Sequence, residues 1–564
     1  VLNVKYKEPT RNTGSLSLGV LSRAAHVEGI SSDKRFTYVA GLRQKTPQYL
    51  FEANKIFKGL EVQGEYLPRF TDVQSYLTYD LTSEAKRQEA PRQTTLGLLT
   101  SYARNRYLIR PTTRESQFGT VSNVLRFTAA FDGQETMQYD TYQMGLKLSH
   151  KHNRYWKTDA TLSAIATQER ENIDLESGYR LCDIETDRSR NTFNQCIFER
   201  GIGTQYNYAR NKLDGRIVNF LNRNYYRPDT SHFFEFGIGA SREVLRDGLY
   251  EWGFIDSADF VAVDKPIIAA LNIDSYRFTG YGQHTYYKGR HTFHTGLRYN
   301  YWSVNRQFIL SPRFQYAYRT GGKSDLVLRT AFGRYAQPAF YREMRNYQGE
   351  LNTGIQAQDS RHLIIGTDLK FKMYNREFKF TGEAYAKQLF DIVPYDVDNV
   401  RIRYFGENAG NAYAIGTDLR VGGEFVKGAE SWFSLGILST KEDELGDNRV
   451  YISRPSDQRV TLGIFFQDHL PNNPSSRVYL NTVVGTGLPF GPPQNINLRA
   501  ALVSPPYRRV DVGFSKVVTL GDKSTKAGRY FESLWLGLEI LNLIGAPNVI
   551  SYTWIKDVNN NRFA

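Results

Sequence analysis

Two cysteines and nine histidines are the residues of this 564-residue chain best suited to metal or nucleophilic chemistry. The histidines are His26, His150, His152, His232, His284, His291, His294, His362 and His469. None sits in an H-E-x-x-H pair, the spacing that puts two imidazoles on one helix face for zinc. His150 and His152 flank a turn and His291 and His294 open an alternating run, so these side chains read as solvated. Cys182 and Cys196 lie in one polar stretch, Glu171 to Arg200. Metal binding would want further Cys or His beside them. A disulfide closing this loop is favoured over two free thiols. It would contribute on the order of 3 kcal/mol in the loop-entropy picture and place the loop in an oxidising compartment. Gly485-Thr486-Gly487 with Gly491 is glycine-rich, but Pro489 and the strand-like context argue against a phosphate cradle. There is no G-x-S-x-G elbow and no placeable Ser-His-Asp set. Asp396 and Asp398 are two carboxylates where Ca²⁺ wants roughly six to eight oxygens. The expectation is therefore a protein that is not an enzyme, with no catalytic residues, no metal site and no cofactor.

What remains is recognition. Residues 391–410 carry Tyr395, Asp396, Asp398, Arg401, Arg403 and Tyr404, and the run Phe340 to Arg345 adds Tyr341 and Arg342. Aromatic and arginine side chains on loops held by a rigid scaffold make a ligand- or partner-binding surface. Packing of one loop on another is the alternative.

The elements that must position these loops follow from periodicity. Val460, Leu462, Ile464 and Phe466 share one face, and Val478, Leu480, Thr482 and Val484 another, on either side of a Pro-Asn-Asn-Pro turn. Alternation with period two over about ten residues, bounded by turn chemistry, is an antiparallel hairpin with one apolar face. The unit recurs: Tyr142, Met144, Leu146 and Leu148; Phe234, Phe236 and Ile238; Leu363, Ile365, Thr367 and Leu369; Val510, Val512 and Phe514, which oppose Arg509, Asp511 and Ser515; Leu534, Leu536, Leu538 and Ile540. Strands of this length suffice to cross a bilayer when tilted.

Composition agrees. Aromatics make up 14% of the chain, with 38 Tyr and 34 Phe, while hydrophobic residues reach only 40%. That balance fits a wall with apolar residues outside and polar ones inside. A soluble propeller is the competing class, but no blade repeat is found. No stretch approaches the length of a transmembrane helix, and Val1 to Glu8 lacks the pattern of a signal peptide. The net charge of +14 is spread along the chain, which suits an anionic surface such as lipopolysaccharide, or an acidic ligand, better than nucleic acid. Connections alternate between short ones, near residues 31, 151, 289, 321, 375, 427 and 472, and long ones, at 45–69, 108–138, 171–203, 247–274, 337–361, 391–410, 442–456 and 488–506. Some twenty apolar faces exceed what one soluble sheet holds, whereas a closed barrel removes edges and sets the apolar band against lipid. The count is 21 strands, the last running from Leu534 to Ile544. Since such barrels have even strand numbers, a closing strand is expected beyond residue 564.

These features, together with particular motifs, resemble the barrel of a TonB-dependent outer-membrane receptor, which has about 22 strands and a plugged lumen. Val1 to Pro9 is similar to the last strand of that family's plug domain, and Leu538-Glu-Ile-Leu-Asn-Leu-Ile544 to its penultimate strand, with Asn542. Ile392 to Asn408, Arg454 to Val460, Thr486 to Pro493 and Ile550 to Lys556 resemble a branch whose members carry a carboxypeptidase-regulatory-like domain before the plug, SusC-like in the broad sense. The resemblance implies residues 1–10 as the end of a plug or a lead-in strand and 11–564 as the transmembrane barrel. It implies a multi-pass protein of a Gram-negative outer membrane that takes up a large or scarce ligand. Its implied partners are a TonB-type energy-coupling protein reached through a plug, outer-membrane lipid and lipopolysaccharide, and a surface lipoprotein or other outer-membrane subunits. A non-transporting barrel subunit of a larger assembly is the alternative.

Overall fold

The computed structural model describes residues 5–45, 68–83, 93–120, 123–257, 260–263, 266–322, 325–398, 401–446, 451–471, 473–493, 495, 498–519, 528, 530–549, 551–552, 554–556 and 562–563. Among them the main sheet has 24 strands. Three of these, Arg114–Thr120, Phe260–Val263 and Ile452–Ser453, only extend a neighbour. The other 21 pair in chain order, each antiparallel to the next, from Thr13–Leu18 to Ser533–Ile540. The expected strand count, all-β class and meander order all appear.

The alternation sets the register. Tyr142, Met144, Leu146 and Leu148, 42–55% exposed, lie on the outer face of the wall, as do Phe514 at 38% and Leu538 at 66%. Asp511, 6% exposed, faces the lumen and takes the Arg509 guanidinium at 2.8 Å and the Asn542 amide at 2.9 Å. Large apolar side chains facing away from the sheet over its whole circumference need an apolar solvent, and closing the wall toward lipid supplies one.

At one end the connections are tight. Tyr374 and Asn375 both take positive φ, 53° and 58°, which is the two-residue hairpin turn whose twist matches its strands. The Pro-Asn-Asn-Pro turn belongs to this end, although Asn472 lies outside the described residues. Along this rim the outward-facing rings of Trp156, Tyr226, Phe234, His284, Tyr286 and Phe293 stack in series with centroids 4.3–6.4 Å apart. Such a girdle marks a membrane–water boundary. His150, His152, His232, His284 and His291 sit in or beside it, stacked on neighbouring rings. They are thus packed partners rather than simply solvated, because turns that begin a strand deliver their first side chains to the girdle.

The structure differs from expectation in three ways. The stretches 108–138, 171–203 and 247–274, expected as loops, are mostly sheet. Strands Asn123–Lys151, Trp156–Ile184, Cys196–Tyr226, His232–Ser257 and Ile267–Lys288 run 29, 29, 31, 26 and 22 residues. At about 3.3 Å per residue the longest spans roughly 100 Å, so this flank rises well beyond the band a bilayer covers. The polar composition of these stretches reflects a sheet whose outer face carries charge, not a loop, while Phe127, Tyr179, Ile173 and Leu175 are buried on its inner face. Second, the strand expected through Ile544 stops at Ile540, because Asn542 takes φ 52° and bonds its own chain at Ala546. Third, residues 5–12 are outside any strand. They lie against the inner wall, where Tyr6 donates to Gln74 at 3.0 Å and Lys7 meets Glu28 at 2.5 Å. Residues 1–4 and most of the expected connection 45–69 lie outside the described residues. Cys182 and Cys196 are joined by a disulfide near the tip of the tall flank, as expected, with Cα atoms 5.7 Å apart.

Candidate functional site

Two connections on the tall-loop side fold together into the lumen. Residues 338–357 contain a tight turn around Tyr341 to Met344, and residues 393–409 hold a small hairpin, Tyr395–Asp398 with Arg401–Tyr404. Strands Gln358–Met373 and Arg376–Ile392 separate the two connections, so both emerge at the same end. Met344, Ile355 and Val393 are buried together with the wall residues Ile273 and Trp302, and Tyr341 and Tyr404 pack at their margin. Asn352 and Asn408 stitch one connection to the other through backbone carbonyls at 2.9 and 3.1 Å. Buried apolar contact plus satisfied backbone is what holds an irregular segment in place. We refer to this unit as the cap.

All eight residues singled out from sequence belong to the cap, and the three arginines among them bond the wall. Arg401 reaches Glu171 at 2.8 Å and Glu135 at 3.8 Å. Arg403 reaches Glu251 at 2.9 Å. Arg342 pairs with Glu169, and Arg345 with Asp247. Asn211 on the wall donates to both Glu171 and Glu251, at 2.7 and 2.6 Å, and ties the acidic positions into one network. Four arginines of the cap therefore face one acidic stripe on the inner side of the tall flank. Asp396, 7% exposed, accepts from Tyr347 at 2.6 Å. Tyr395 and Tyr404 face each other across the hairpin with rings 5.8 Å apart. Asp398 stands opposite Arg401 in the register. Burial pushes the Tyr341 hydroxyl up to about 12, and it raises Glu343 above the ordinary carboxylate range despite bonds from the Phe340 amide and Gln358.

Arg499, in the long connection before Tyr507, went unnoticed in the sequence. It is 4% exposed and holds Asp396 at 3.0 Å, Glu444 at 2.8 Å, Glu442 and the Tyr395 carbonyl at 2.9 Å. One guanidinium thus locks the hairpin to the strand Ala429–Glu444. Its only sequence signal is an arginine inside an otherwise apolar run, Leu498 to Val503.

Below the cap is a cavity of about 1080 Å³, whose lining includes Arg277, Arg298, Arg313, Trp302, Tyr335 and Tyr341. Arg277 is held by Glu243 at 3.1 Å and stacks over Trp302 at 4.9 Å. Among the described residues no cluster of three metal-ligating side chains is found.

A capped lumen inside a meander of 21 strands can now be compared with known structures. No family model matches the sequence, and no curated protein is similar to it. The fold matches several solved structures. The copper transporter OprC superposes with a TM-score of 0.59 at 12% identity, covering 94% of this chain and 73% of that one. The ferripyoverdine receptor of the Pseudomonas aeruginosa outer membrane gives 0.60 at 11%, covering 96% and 69%. The RagAB peptide transporter gives 0.54 at 9%, covering 93% and 72%. This is the fold of a TonB-dependent receptor barrel. The chain spans about two thirds to three quarters of the length of these receptors. Within that receptor fold the cap occupies the lumen at the end carrying the long connections, and the segment 5–12 lies on the inner wall near the opposite rim.

Proposed function

We propose that this chain is the barrel of a Gram-negative outer-membrane transporter that takes up a specific ligand too large or too scarce for an open pore. The observation that supports the reading most is the cap: two inward-folded connections, closed onto an acidic wall by arginines, over a cavity of about 1080 Å³. A passive pore has no use for such a closure. A receptor does, because binding energy can be spent on displacing it. The tall-loop end is then the cell exterior and the tight-turn end the periplasm. Residues 1–10 are the tail of a plug, which would deliver energy from a TonB-type coupling protein. A surface lipoprotein or other outer-membrane subunit is the partner that the tall flank would accommodate.

Tyr341, Arg342, Tyr395, Asp396, Asp398, Arg401, Arg403 and Tyr404 form the ligand-responsive surface in this proposal. Replacing Arg401 and Arg403 together by Ala frees the cap from Glu171 and Glu251. The expected outcome is altered uptake of whatever co-purifies with the native protein, identified by mass spectrometry, with the barrel still heat-modifiable on gels. Unchanged uptake and unchanged co-purification would reject the site. One observation favours a second reading: each cap arginine named above has an acidic partner on the wall, so the cap is tied down by the chain's own side chains. A non-transporting barrel subunit would show that closure permanently, and would conduct no ions in a planar bilayer even after the double substitution.

A further inference from the structure

The inner wall of the tall flank inverts the composition of the chain. The chain carries a net charge of +14, yet on four neighbouring strands the inward positions of 133–139, 167–177, 205–215 and 245–255 hold five acids and no base. Their arrangement follows from the register. Glu135, Ile173, Ala209 and Glu251 stand level on successive strands. Two residues nearer the tight-turn end comes the level of Glu171 and Asn211, and two nearer still that of Glu169, Leu213 and Asp247. Levels on one face of a sheet are about 6.7 Å apart and strands about 4.8 Å. The five carboxylates therefore form a lattice, set among apolar side chains and the amide of Asn211.

The cap covers this lattice with guanidinium groups. Arg401 and Arg403 are alternate residues of one short strand, Arg401–Tyr404, and so share a face. They reach Glu171 at 2.8 Å and Glu251 at 2.9 Å, acids one level apart. The repeat of an extended chain is thus the repeat of the lattice. Arg342 and Arg345 serve the level of Glu169 and Asp247 from the other connection. The fit is incomplete at the fifth acid. Glu135, whose side chain is 9% exposed, has its Oε2 3.8 Å from Nη2 of Arg401. Both atoms are buried, and neither has a hydrogen-bond partner among the described residues. Four cap cations stand against five wall acids, and one buried carboxylate oxygen faces a guanidinium too distant to bond it.

We propose that this lattice is the binding site for an extended basic peptide, with arginine or lysine at alternate positions, and that Arg401 and Arg403 hold its place while it is absent. The proposal rests on the transporter reading and names the ligand class of that transporter. A strand of such a peptide presents a cation every ~6.7 Å. It offers Glu171 and Glu251 the charge-assisted bonds the cap now makes, and it brings a further cation within reach of Glu135. Arginine suits the lattice better than lysine, because its planar fork serves two acceptors at once. Ligand and cap compete for the same carboxylates, so binding displaces the cap by the contact the cap lacks.

The test uses the full chain in detergent micelles and three short labelled peptides: serine alternating with arginine, the same composition with the arginines contiguous, and serine alternating with glutamate. Spermine serves as an unlabelled competitor. The alternating arginine peptide should bind most tightly by fluorescence anisotropy and speed hydrogen exchange at Ile402. Arg401→Ala/Arg403→Ala should tighten its binding at least tenfold, since the resident competitor is gone. Glu171→Gln/Glu251→Gln should weaken it at least tenfold. The ranking of probes on the wild-type protein keeps the test independent of how the variants fold. Weaker binding in the arginine variant, or preference for the glutamate peptide, would overturn the site, because the cap arginines would then be the ligand's own contacts. Equal binding of alternating and contiguous peptides, or displacement by spermine at equal concentration, would reduce it to unspecific attraction and overturn it too. If no peptide binds while the ligand that co-purifies with the native protein is still taken up, this inference fails and the transporter reading stands. If the alternating peptide binds and releases the cap but cells never take it up, the lattice stands as a docking surface and the transporter reading fails.

Discussion

Arg11 and Glu532 stand 521 residues apart in sequence, and their side chains meet at 3.4 Å. Each precedes a terminal strand of the described sheet: Thr13–Leu18 pairs only with Ser22–Ile30, and Ser533–Ile540 only with Tyr507–Thr519. The contact brings the two edges side by side at the tight-turn rim. Both side chains are about 70% exposed, so the pair reports position and contributes little energy.

The edge has a measurable signature. Amides of Leu534 to Ile540 that point away from Tyr507–Thr519 have no ladder partner among the described residues. In this 564-residue chain they should exchange hydrogen orders of magnitude faster than the amides of Leu480, which is paired on both sides. Uniformly slow exchange along Leu534 to Ile540 would show that the seam is filled.

Arg499→Ala should be the most damaging single substitution in the cap. It takes the shared cation from Asp396, Glu442 and Glu444, each at most 7% exposed, while Tyr347 still donates to Asp396 and Arg454 to Glu442, and removing one partner of a buried network costs about 3–5 kcal/mol. The hairpin Tyr395 to Tyr404 should become cleavable by added protease while the wall remains intact. Arg499→Lys should recover only part of the protection, since an ammonium cannot serve all these acceptors in one plane.

The two sides of the cap's closure should be coupled. Arg403→Ala leaves Glu251 without its cation, and Glu251→Gln does the reverse. The double variant should open the cap less than the sum of the two singles, with a coupling of about 0.5–3 kcal/mol measured by hydrogen exchange at Ile402. Strict additivity would mean that the pair is not formed in solution.

Glu343 gives a pH dependence with a defined sign. Burial raises its folded pKa above the unfolded one, so the folded cap binds more protons than the open one across that interval. Its contribution to cap stability is full below the unfolded pKa and is lost as pH rises through the folded pKa. The difference between wild type and Glu343→Gln should therefore be constant below the ordinary carboxylate range and change as pH rises above it. A pH-independent difference in near-ultraviolet dichroism would refute this.

Reducing the disulfide should loosen only the tip of the tall flank. Closing 14 residues of chain is worth about 3 kcal/mol in the loop-entropy picture. Cys182→Ser should speed exchange around residues 185–195 and leave the heat-modifiability of the barrel unchanged.

The wall was readable because lipid on one face and a polar lumen on the other force period two, and Tyr142 to Leu148 or Val510 to Phe514 show it without interruption. The tall flank was not. In the sheet around Asp174 and Arg210 the outer face carries charge, and the apolar half of the alternation moves to the inner face, where Ile173, Leu175 and Ala209 are buried, while the hydrogen-bonded ladder continues. Cap residues were found by type, since Tyr395, Arg401 and Arg403 stand out in a loop. Their partners Glu171, Asn211 and Glu251 were hidden, because an inward acid on a strand looks like any lumen residue until the fold brings a loop opposite it.

The uneven strand lengths have a consequence for traffic. With the tight-turn ends level, the wall is tall over strands Asn123 to Lys288 and low elsewhere, so the rim is slanted like the hood of a ventilator. With the tall end at the cell exterior, as proposed above, an object drifting along the cell surface meets open water from the low side and a backstop from the high one. Capture then depends on the direction of approach, and molecules already confined to the surface reach the cap by a shorter search than those falling from bulk solution.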